Sequence, residues 1–360
     1  VDADTPLLTA DGRLLGIRYE TDRPFIHYTD ARARALVDAV NRVDPSKFSH
    51  LTDSTRDERV YIVRSYSDVD GGTYSIFDTG SKKLMRLGTA YPELDPATMG
   101  RMQSIAYKAA DGTEIPGYLT VPAGMRAENL PLVVMPHGGP IARDNWDFDF
   151  LRAFLVSRGY AVLQMNFRGS SGYGSAWYYA AHQDWGGLTY SDITDGARWA
   201  VSQGIADPKR MCIVGWSFGG YAALLGAVRN NDLYRCAVSI AGVADLNQLL
   251  LEERFFSGWR FAREQLGTDK EKLKADSPLR HVEKIEMPVL MVHGDKDWQV
   301  EADHTRRMDT AMTRARKPHR TVLIKYGTHQ LDRKSDRVTL LTEVEQFLRQ
   351  NLGPGASAGH

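Results

Sequence analysis

Short runs of alternating apolar and polar residues dominate roughly the first hundred residues of the chain. Turn signals such as Asp70-Gly71-Gly72 separate these runs, a texture typical of antiparallel β-structure. The pattern predicts strands at residues 14–19, 60–65, 73–77 and 84–87, and residues 31–43 have a helical apolar period instead. So few strands cannot close a sandwich or a propeller, and an isolated sheet would expose its edges. We therefore expect upstream sequence or a companion fragment to complete this region.

From about residue 101 the pattern changes to short apolar runs that alternate with helical stretches. Two amphipathic strands are predicted at 103–108 and 114–121, joined by the turn signal Asp111-Gly112. Buried strands follow at 130–136, 161–166, 211–216, 237–241, 289–292 and 321–326, and helices at 148–157, 191–202, 218–228, 303–314 and 338–352. Such alternation implies right-handed crossovers and a mostly parallel sheet covered on both faces. The prediction is a β-rich region over 1–100, a doubly wound α/β domain over 101–352, and a flexible tail over 353–360.

Composition and charge point to no specialised class of protein. Hydrophobic residues make up 42% of the 360-residue chain and charged residues 25%, as in ordinary globular proteins. Lysine plus arginine and aspartate plus glutamate number 45 each, so no net charge attracts nucleic acid or an anionic membrane. No apolar stretch approaches the roughly 18 residues that span a bilayer. We expect neither a nucleic-acid nor a membrane partner, and the sequence leaves a homo-oligomer open.

The cysteines and the first residues bear on the compartment. Cys212 and Cys236 each lie in an apolar run, which predicts two buried free thiols rather than a disulfide. The chain begins at Val1 and shows no charged leader before an apolar segment, so a signal peptide is absent, removed or outside this sequence. The expectation is a cytoplasmic location, with a periplasmic or secreted location as the alternative.

No pattern of metal or cofactor ligands is visible in the sequence. It lacks H-E-x-x-H, a closely spaced pair of cysteines, clustered carboxylates and the phosphate-binding G-x-x-x-x-G-K-[ST] motif. Residues 169–174 are rich in glycine but lack the dinucleotide-binding fingerprint. We expect no metal and no cofactor.

The strongest chemical signal is G-x-S-x-G at residues 215–219, between a predicted strand and a predicted helix. This context is typical of a nucleophile elbow, in which a strained turn presents the serine and the glycines leave room for the chain. Ser217 is therefore the candidate nucleophile. Because a serine hydroxyl is a poor nucleophile at neutral pH, it needs a histidine base held by a carboxylate, in the chain order Ser, Asp, His.

Six histidines follow Ser217 along the chain: His281, His293, His304, His319, His329 and His360. Only His293 and His329 come after predicted strand ends, where a parallel sheet presents its catalytic residues. Asp295 and Asp297 directly follow His293, so we expect this loop to carry the acid and His329 to be the base. Spacing alone does not choose between the two aspartates.

Four ordered motifs resemble the catalytic domain of the prolyl oligopeptidase family, which has the α/β-hydrolase fold. They are HGGP at 137–140, NFRGSSGYG at 166–174, GWSFGGY at 215–221 and HGDKDWQV at 293–300. The resemblance covers roughly residues 101–352 and is closer still to the acylaminoacyl and dipeptidyl peptidase-like bacterial branch. In that family the acid is the fifth residue of H-G-x-x-D-x-x-V, which implies Asp297, while Asp295 would shape the turn.

An oxyanion hole requires backbone donors aimed at the developing negative charge. One expected donor is the N–H of Phe218, directly after the nucleophile, and another comes from the loop 137–140. The resemblance implies Gly139 for the second donor. Because the base must be neutral, activity is expected to rise with pH through about 6.5, the ordinary histidine value.

Aromatic and charged residues near these motifs are candidates for substrate contacts, although most aromatic side chains in such a domain form core. The candidates are Trp216, Tyr173, Arg168, Tyr221 and Trp298. Further aromatic candidates for an apolar slot are Phe218, Phe255, Phe256 and Trp259. The pair Glu252-Glu253 could contact a peptide terminus.

The resemblance implies a serine peptidase that hydrolyses amide bonds of short or unstructured peptides through an acyl-enzyme on Ser217. It also implies that residues 1–100 are the end of a β-propeller cap with its linker. Some relatives open isopeptide-closed lasso peptides, so an isopeptidase is included. Two alternatives use the same fold: a carboxylesterase, and a catalytically silent binding module. The β-rich region over residues 1–100 argues against an esterase, because typical esterases carry a helical cap. The presence of all three catalytic side chains, Ser217, Asp297 and His329, argues against a catalytically silent module.

Overall fold

The structure is a computed structural model that describes residues 2–9, 11–254 and 259–356. The chain forms two compact units. The first contains residues 1–102 together with the short segments 145–153 and 172–174. The second contains residues 103–144, 154–171 and 175–360. Two short segments of the predicted α/β domain thus belong with the β-rich region.

In its described residues, the first unit holds two antiparallel sheets and an α-helix that follows the smaller sheet. The smaller sheet contains β1 (Ala3–Leu8), β2 (Leu14–Glu20) and β3 (Pro24–Tyr28), and helix α1 (Ala31–Asn41) follows it. The larger sheet is a meander of four strands, the strand number of one propeller blade: β4 (Phe48–Ser54), β5 (Val60–Ser67), β6 (Asp70–Asp78) and β7 (Lys83–Thr89). Apolar side chains of both sheets and of α1, including Leu15, Leu36 and Val63, form one core.

The apolar pattern missed β1, β3 and β4. Most positions of β1 are exposed and the strand contains Pro6, so no apolar alternation marks it. β3 has only five residues, and β4 carries polar side chains at most of its positions. These strands are defined by backbone pairing with β2 and β5, which a pattern of side chains does not reveal.

In its described residues, the second unit is built on one sheet of eight strands. They are β8 (Met102–Lys108), β9 (Glu114–Thr120), β10 (Leu130–Val134), β11 (Ala161–Met165), β12 (Ala206–Trp216), β13 (Cys236–Ile240), β14 (Val289–Gly294) and β15 (His319–Ile324). Their order is β15-β14-β13-β12-β10-β11-β9-β8. Neighbours from β11 to β15 are parallel, and β9 pairs antiparallel with β11. The mostly parallel sheet is as predicted.

Helices lie between the parallel strands along the chain, and a long helix follows the last strand. They are α2 (Phe150–Ser157), α3 (Ser175–Tyr179), α4 (Leu188–Ser202), α5 (Phe218–Arg229), α6 (Leu246–Glu253), α7 (Trp259–Leu266), α8 (Lys270–Ala275), α9 (Asp303–Arg314) and α10 (Lys334–Leu352). Short 3-10 helices cover Pro96–Thr98 and Pro278–Lys284. Strands β10, β11, β13 and β14 are buried along their whole length, so the core of this unit lies along the centre of the sheet.

Cys212 and Cys236 form a disulfide in the structure. They are register partners on the adjacent parallel strands β12 and β13, with Cα atoms 4.8 Å apart. The prediction of two free thiols is therefore wrong. Their sequence separation of 24 concealed the pairing, because strand register is not readable from spacing.

The first residues of the predicted flexible tail are held by hydrogen bonds. The Tyr160 hydroxyl donates to the Gly353 carbonyl oxygen at 3.0 Å, and the Ala356 N–H donates to the Gly159 carbonyl oxygen at 2.8 Å. Residues 357–360 lie outside the described residues. No helix in the described ranges has both the length and the apolar character needed to cross a bilayer.

Candidate active site

The segment that joins β12 to α5 is a tight turn at Ser217. Strand β12 ends at Trp216 and α5 begins at Phe218, so Ser217 alone makes the turn. Its backbone has φ 59° and ψ −117°, a region that residues with a side chain rarely adopt. Such strain persists only where the surroundings enforce it, and it is concentrated at functional sites.

Close backbone contacts enforce this turn. A Cβ on Gly215 would lie 2.2 Å from the Gly219 carbonyl carbon, and a Cβ on Gly219 would lie 2.2 Å from the Pro136 carbonyl oxygen. The Ser217 N–H donates to the Ile240 carbonyl oxygen at 2.8 Å, at the end of β13. These contacts fix Ser217 at the carboxyl edge of the parallel strands.

The loops after β14 and β15 are held together by their backbones. A Cβ on Gly294 would lie 2.3 Å from the Gly327 carbonyl oxygen, so this crossing requires glycine. The Lys296 N–H donates to the same oxygen at 2.9 Å, and the Asp295 carboxylate accepts the Tyr326 N–H at 2.5 Å. The crossing brings the aspartates of one loop to the histidine of the other.

Asp297 and His329 meet beyond this crossing. Asp297 Oδ2 lies 2.6 Å from His329 Nδ1, and both residues are buried. Of the two aspartates that spacing left open, Asp297 is the one beside His329, while Asp295 accepts the Tyr326 N–H. A carboxylate only accepts hydrogen bonds, so Nδ1 carries the proton and Nε2 is left with a lone pair. His329 can therefore accept a proton through Nε2.

The Asp297 carboxylate is held by several further donors. Its Oδ1 accepts the N–H groups of Gln299 and Val300 at 2.9 and 3.0 Å, and its Oδ2 also lies 3.2 Å from His293 Nε2. Burial by itself would raise the pKa of Asp297, but hydrogen bonds from His293, His329 and Val300 outweigh it and hold that pKa well below its usual range. The carboxylate is therefore ionised at neutral pH.

His329 is tied to the serine turn by an indole. The Trp216 Nε1–H donates to the His329 carbonyl oxygen at 2.9 Å. Because Trp216 directly precedes Ser217, this bond brings the loop of the histidine against the turn of the serine. The predicted substrate residue Trp216 thus links two elements of the site.

The loop after β10 passes beside Ser217. A Cβ built on Gly138 would lie 3.5 Å from the Ser217 Cβ. Gly139 has φ +112°, which favours glycine, and a cis peptide bond joins it to Pro140. Phe218 is the first residue of α5, so its N–H has no acceptor within the helix. The N–H groups of Phe218 and Gly139 are the candidate oxyanion donors on these two segments.

His137 braces the same loop. Its Nδ1 lies 2.7 Å from the Gly138 carbonyl oxygen, and its Nε2 lies 2.8 Å from Ser170 Oγ. The ring stacks on Phe167 with 4.2 Å between the ring centroids. Burial lowers the pKa of His137 to about 4, so the imidazole is neutral at pH 7.

Two predicted substrate contacts are engaged elsewhere in the structure. Arg168 is 9% exposed, and its Nε and Nη2 donate to the two carboxylate oxygens of buried Asp192 while Nη1 donates to Asp111. Tyr221 is fully buried, and its hydroxyl donates to the Asp276 carbonyl oxygen at 2.9 Å. The predictions for Arg168 and Tyr221 are therefore wrong, because both side chains are buried with structural partners.

The other candidates differ in accessibility. Trp298 is 65% exposed and directly follows Asp297, so its ring is open to a ligand. Tyr173 belongs to the first unit, and its substrate contact stays a prediction. The Phe218 ring is buried against Trp185, with 5.0 Å between the centroids. Phe255 and Phe256 lie outside the described residues, while Trp259 begins α7.

Glu252 and Glu253 end helix α6. The Glu252 carboxylate lies 3.1 Å from Nε2 of the buried His304, so this side chain has an internal partner. The pKa of Glu253 is raised, mainly by burial of its carboxyl group and to a lesser extent by the negative charge of the neighbouring Glu252. In the part of the chain that the structure describes, no group of three or more histidine, cysteine, aspartate or glutamate side chains is placed to hold a metal ion.

Sequence reasoning considered His293 only as a base, and missed its contact with Asp297. The signal was present, since His293 is the first residue of the motif that carries the acid. The structure places its ring, fully buried, beside the acid.

Comparisons with known proteins give consistent matches. A model of the prolyl oligopeptidase family matches residues 146–355. The dipeptidyl aminopeptidase BIII of Pseudoxanthomonas mexicana is 31% identical over 361 residues, an alignment that covers 96% of this chain and 52% of that protein. This chain therefore spans about half the length of that relative.

Solved structures share the fold. The crystal structure of a puromycin hydrolase has a TM-score of 0.75 and 25% identity, and the match covers 86% of this chain and 48% of that one. The structure of a puromycin-hydrolyzing peptidase of Mycobacterium tuberculosis has a TM-score of 0.82 and 24% identity, covering 99% of this chain and 55% of that one. The second unit thus has the α/β-hydrolase fold, and the β-rich part precedes it.

Proposed function

This chain belongs to the prolyl oligopeptidase family of serine peptidases, and on that premise we propose that it hydrolyses amide bonds of short or unstructured peptides through an acyl-enzyme on Ser217. The observation that carries the proposal is the hydrogen-bonded pair of Asp297 and His329, which is tied through Trp216 to the strained turn of Ser217. A silent binding module would have no need to maintain that turn against its strain.

In the proposed reaction, His329 Nε2 takes the hydroxyl proton of Ser217 as Oγ bonds to the substrate carbonyl carbon. The ionised Asp297 stabilises the imidazolium that forms. The N–H groups of Phe218 and Gly139 hold the oxyanion, which removes the need for solvent to reorganise around it.

The protonated His329 then gives its proton to the leaving amine, and the carbon–nitrogen bond breaks. Water attacks the acyl-enzyme while His329 accepts one of its protons, and the returning proton restores the Ser217 hydroxyl. The step releases a carboxylic acid and consumes one water for each bond cleaved.

Relatives support a peptide substrate. The curated relative described above is named as a dipeptidyl aminopeptidase, and one structural neighbour is named as a peptidase. Because this chain spans about half of each, the substrate class of the whole protein is part of the proposal. The exposed Trp298 beside Asp297 offers an apolar contact for a substrate side chain.

The test compares hydrolysis of an aminoacyl anilide with that of a short-chain phenyl ester, and adds labelling by a fluorophosphonate probe. We expect anilide turnover and probe labelling, both abolished in Ser217→Ala; the equivalent loss in another serine protease lowers kcat about 10⁶-fold. Ester turnover without anilide turnover would identify a carboxylesterase instead. Equal labelling of wild type and Ser217→Ala would exclude Ser217 as the nucleophile.

Two finer points are part of the proposal. Incubation with an isopeptide-closed lasso peptide, followed by mass spectrometry, tests isopeptidase action through the gain of one water.

The cytoplasmic location expected from the sequence is opposed by the disulfide between Cys212 and Cys236, since such bonds are typical of oxidising compartments. Cell fractionation of the full-length protein separates these locations.

A further inference from the structure

Asp297 Oδ2 faces a second imidazole besides that of His329. His293, near the end of β14, is completely buried, and its Nε2 lies 3.2 Å from Asp297 Oδ2 and 2.9 Å from the Val300 carbonyl oxygen. Its Nδ1 lies 2.8 Å from Thr305 Oγ1, on helix α9. The hydrolytic scheme above gives this ring no role.

The partners of His293 determine where its proton lies. A carbonyl oxygen and a carboxylate oxygen both face Nε2, and neither can donate a hydrogen bond. Nε2 must therefore carry a proton. The Thr305 hydroxyl can donate to Nδ1 when the ring is neutral, or accept from it when the ring is protonated. In either state Nε2–H faces the Val300 carbonyl oxygen at 2.9 Å, and Asp297 Oδ2 lies 3.2 Å from the same nitrogen.

This second donor completes the environment of the acid. Oδ1 of Asp297 accepts two backbone N–H groups, from Gln299 and Val300, while Oδ2 accepts from His329 and lies within reach of His293. Without the His293 N–H, His329 would be the described side chain that donates directly to Oδ2, and the bonds to Oδ1 would restrain Oδ2 only indirectly. That histidine must be free to change its charge during each reaction cycle.

We propose that His293 is a positioning residue of the triad, whose Nε2–H fixes Asp297 Oδ2 where it receives the His329 Nδ1–H, while the Thr305 hydroxyl holds the His293 ring. The inference deepens the proposed function and rests on it. The opposing account is a core histidine whose hydrogen bonds are satisfied by Val300 and Thr305 and which acts on stability alone.

The experiment measures the second-order rate constant for fluorophosphonate labelling of Ser217, which needs no knowledge of the substrate. His293→Leu removes the donor, and His293→Gln keeps a side-chain N–H at a similar reach. Thr305→Val removes the hydroxyl behind the ring. Thr310→Val is its matched control, since Thr310 is exposed on the same helix and its hydroxyl donates to the Arg306 carbonyl oxygen. Near-UV circular dichroism and thermal unfolding establish that each variant is folded.

The proposal expects His293→Leu to label about 10-fold to 100-fold more slowly, the scale expected from a misplaced catalytic group. His293→Gln should recover most of that loss, and Thr305→Val should be slower than Thr310→Val. The acid limb of the pH–rate profile should move to higher pH in His293→Leu but not in His293→Gln. The reason is that an Asp297 carboxylate with one donor fewer holds protonated His329 more strongly.

Other outcomes overturn the proposal. If folded His293→Leu labels at the wild-type rate, or if folded His293→Gln is as slow as His293→Leu, the ring does not act through its donor. If His293→Leu fails to fold, the threonine pair decides: equal rates for Thr305→Val and Thr310→Val contradict the proposal. Failure of the proposed function is distinguishable, because then the wild-type protein itself would not label.

Discussion

Replacement of Asp297 by asparagine changes the site by one atom and tests the assignment of the acid. Oδ1 accepts the backbone N–H groups of Gln299 and Val300, so the asparagine carbonyl oxygen should take that position. The reversed amide would leave the buried Val300 N–H unpaired, at a cost of about 1–3 kcal/mol. The amide NH₂ therefore takes the place of Oδ2 and faces His329.

The consequence for His329 is a change of tautomer. Its Nδ1 now meets a donor and must accept, so the ring proton moves to Nε2. That atom can then no longer take the proton of Ser217. The equivalent substitution in another serine protease lowers kcat about 10⁴-fold, or about 5 kcal/mol in activation free energy, and we expect a loss of that size here.

The assay is the kcat for an aminoacyl anilide at pH 7.5 or above, about one unit beyond the ordinary histidine pKa. Asp295→Asn is the matched control, because an amide oxygen can still accept the Tyr326 N–H, and a change of only a few-fold is expected. Unfolding by urea should show both variants folded. Retention of more than about a tenth of wild-type activity in Asp297→Asn, or an equal loss in Asp295→Asn, would refute the reasoning.

Three further outcomes are expected. Arg168→Met should leave Asp192 buried without its partner, and we expect the free energy of unfolding to fall by about 3–5 kcal/mol while KM is unchanged. A raised KM at unchanged stability would instead indicate that Arg168 contacts the substrate. Gly219→Ala should prevent folding or remove activity, because its Cβ would lie 2.2 Å from a backbone oxygen, whereas Gly88→Ala, with nothing within 4 Å, should be neutral in urea unfolding. His137, whose pKa burial lowers to about 4, takes up its proton less readily in the folded chain than in the unfolded one. Stability should therefore fall as the pH drops from about 6.5 toward about 4, by up to about 3 kcal/mol, and His137→Gln should flatten that slope in unfolding measured at pH 5 and 7.

The sheet of the second unit was predictable because its central strands are buried along their whole length. Runs such as residues 289–292 are therefore apolar throughout, and they mark strands without any information on pairing. The position of Ser217 followed from the glycines at 215 and 219, whose absent side chains the backbone requires. His329 followed from strand order.

Other features depend on contacts that no local pattern records. Arg168 looks like a free charge in the sequence, and only the fold brings it to Asp192, on helix α4. Spacing in the sequence does not distinguish Asp297 from Asp295 as the acid. Only the resemblance to the family's motif favours Asp297, because the contacts of the two carboxylates depend on how the loops fold. The disulfide depends on the register between β12 and β13, which side-chain pattern does not specify.

The crossing at Gly294 and Gly327 has a consequence for how this enzyme could diversify. Acid and base are spaced by main chain meeting main chain, so the distance between them is independent of the side chains that surround a substrate. If the proposed substrate contact of Trp298 holds, its replacement should alter which ligands are accepted while the proton-transfer geometry is preserved. An added methyl group at either glycine would instead push the two loops apart, separate Asp297 from His329, and so abolish activity toward every substrate.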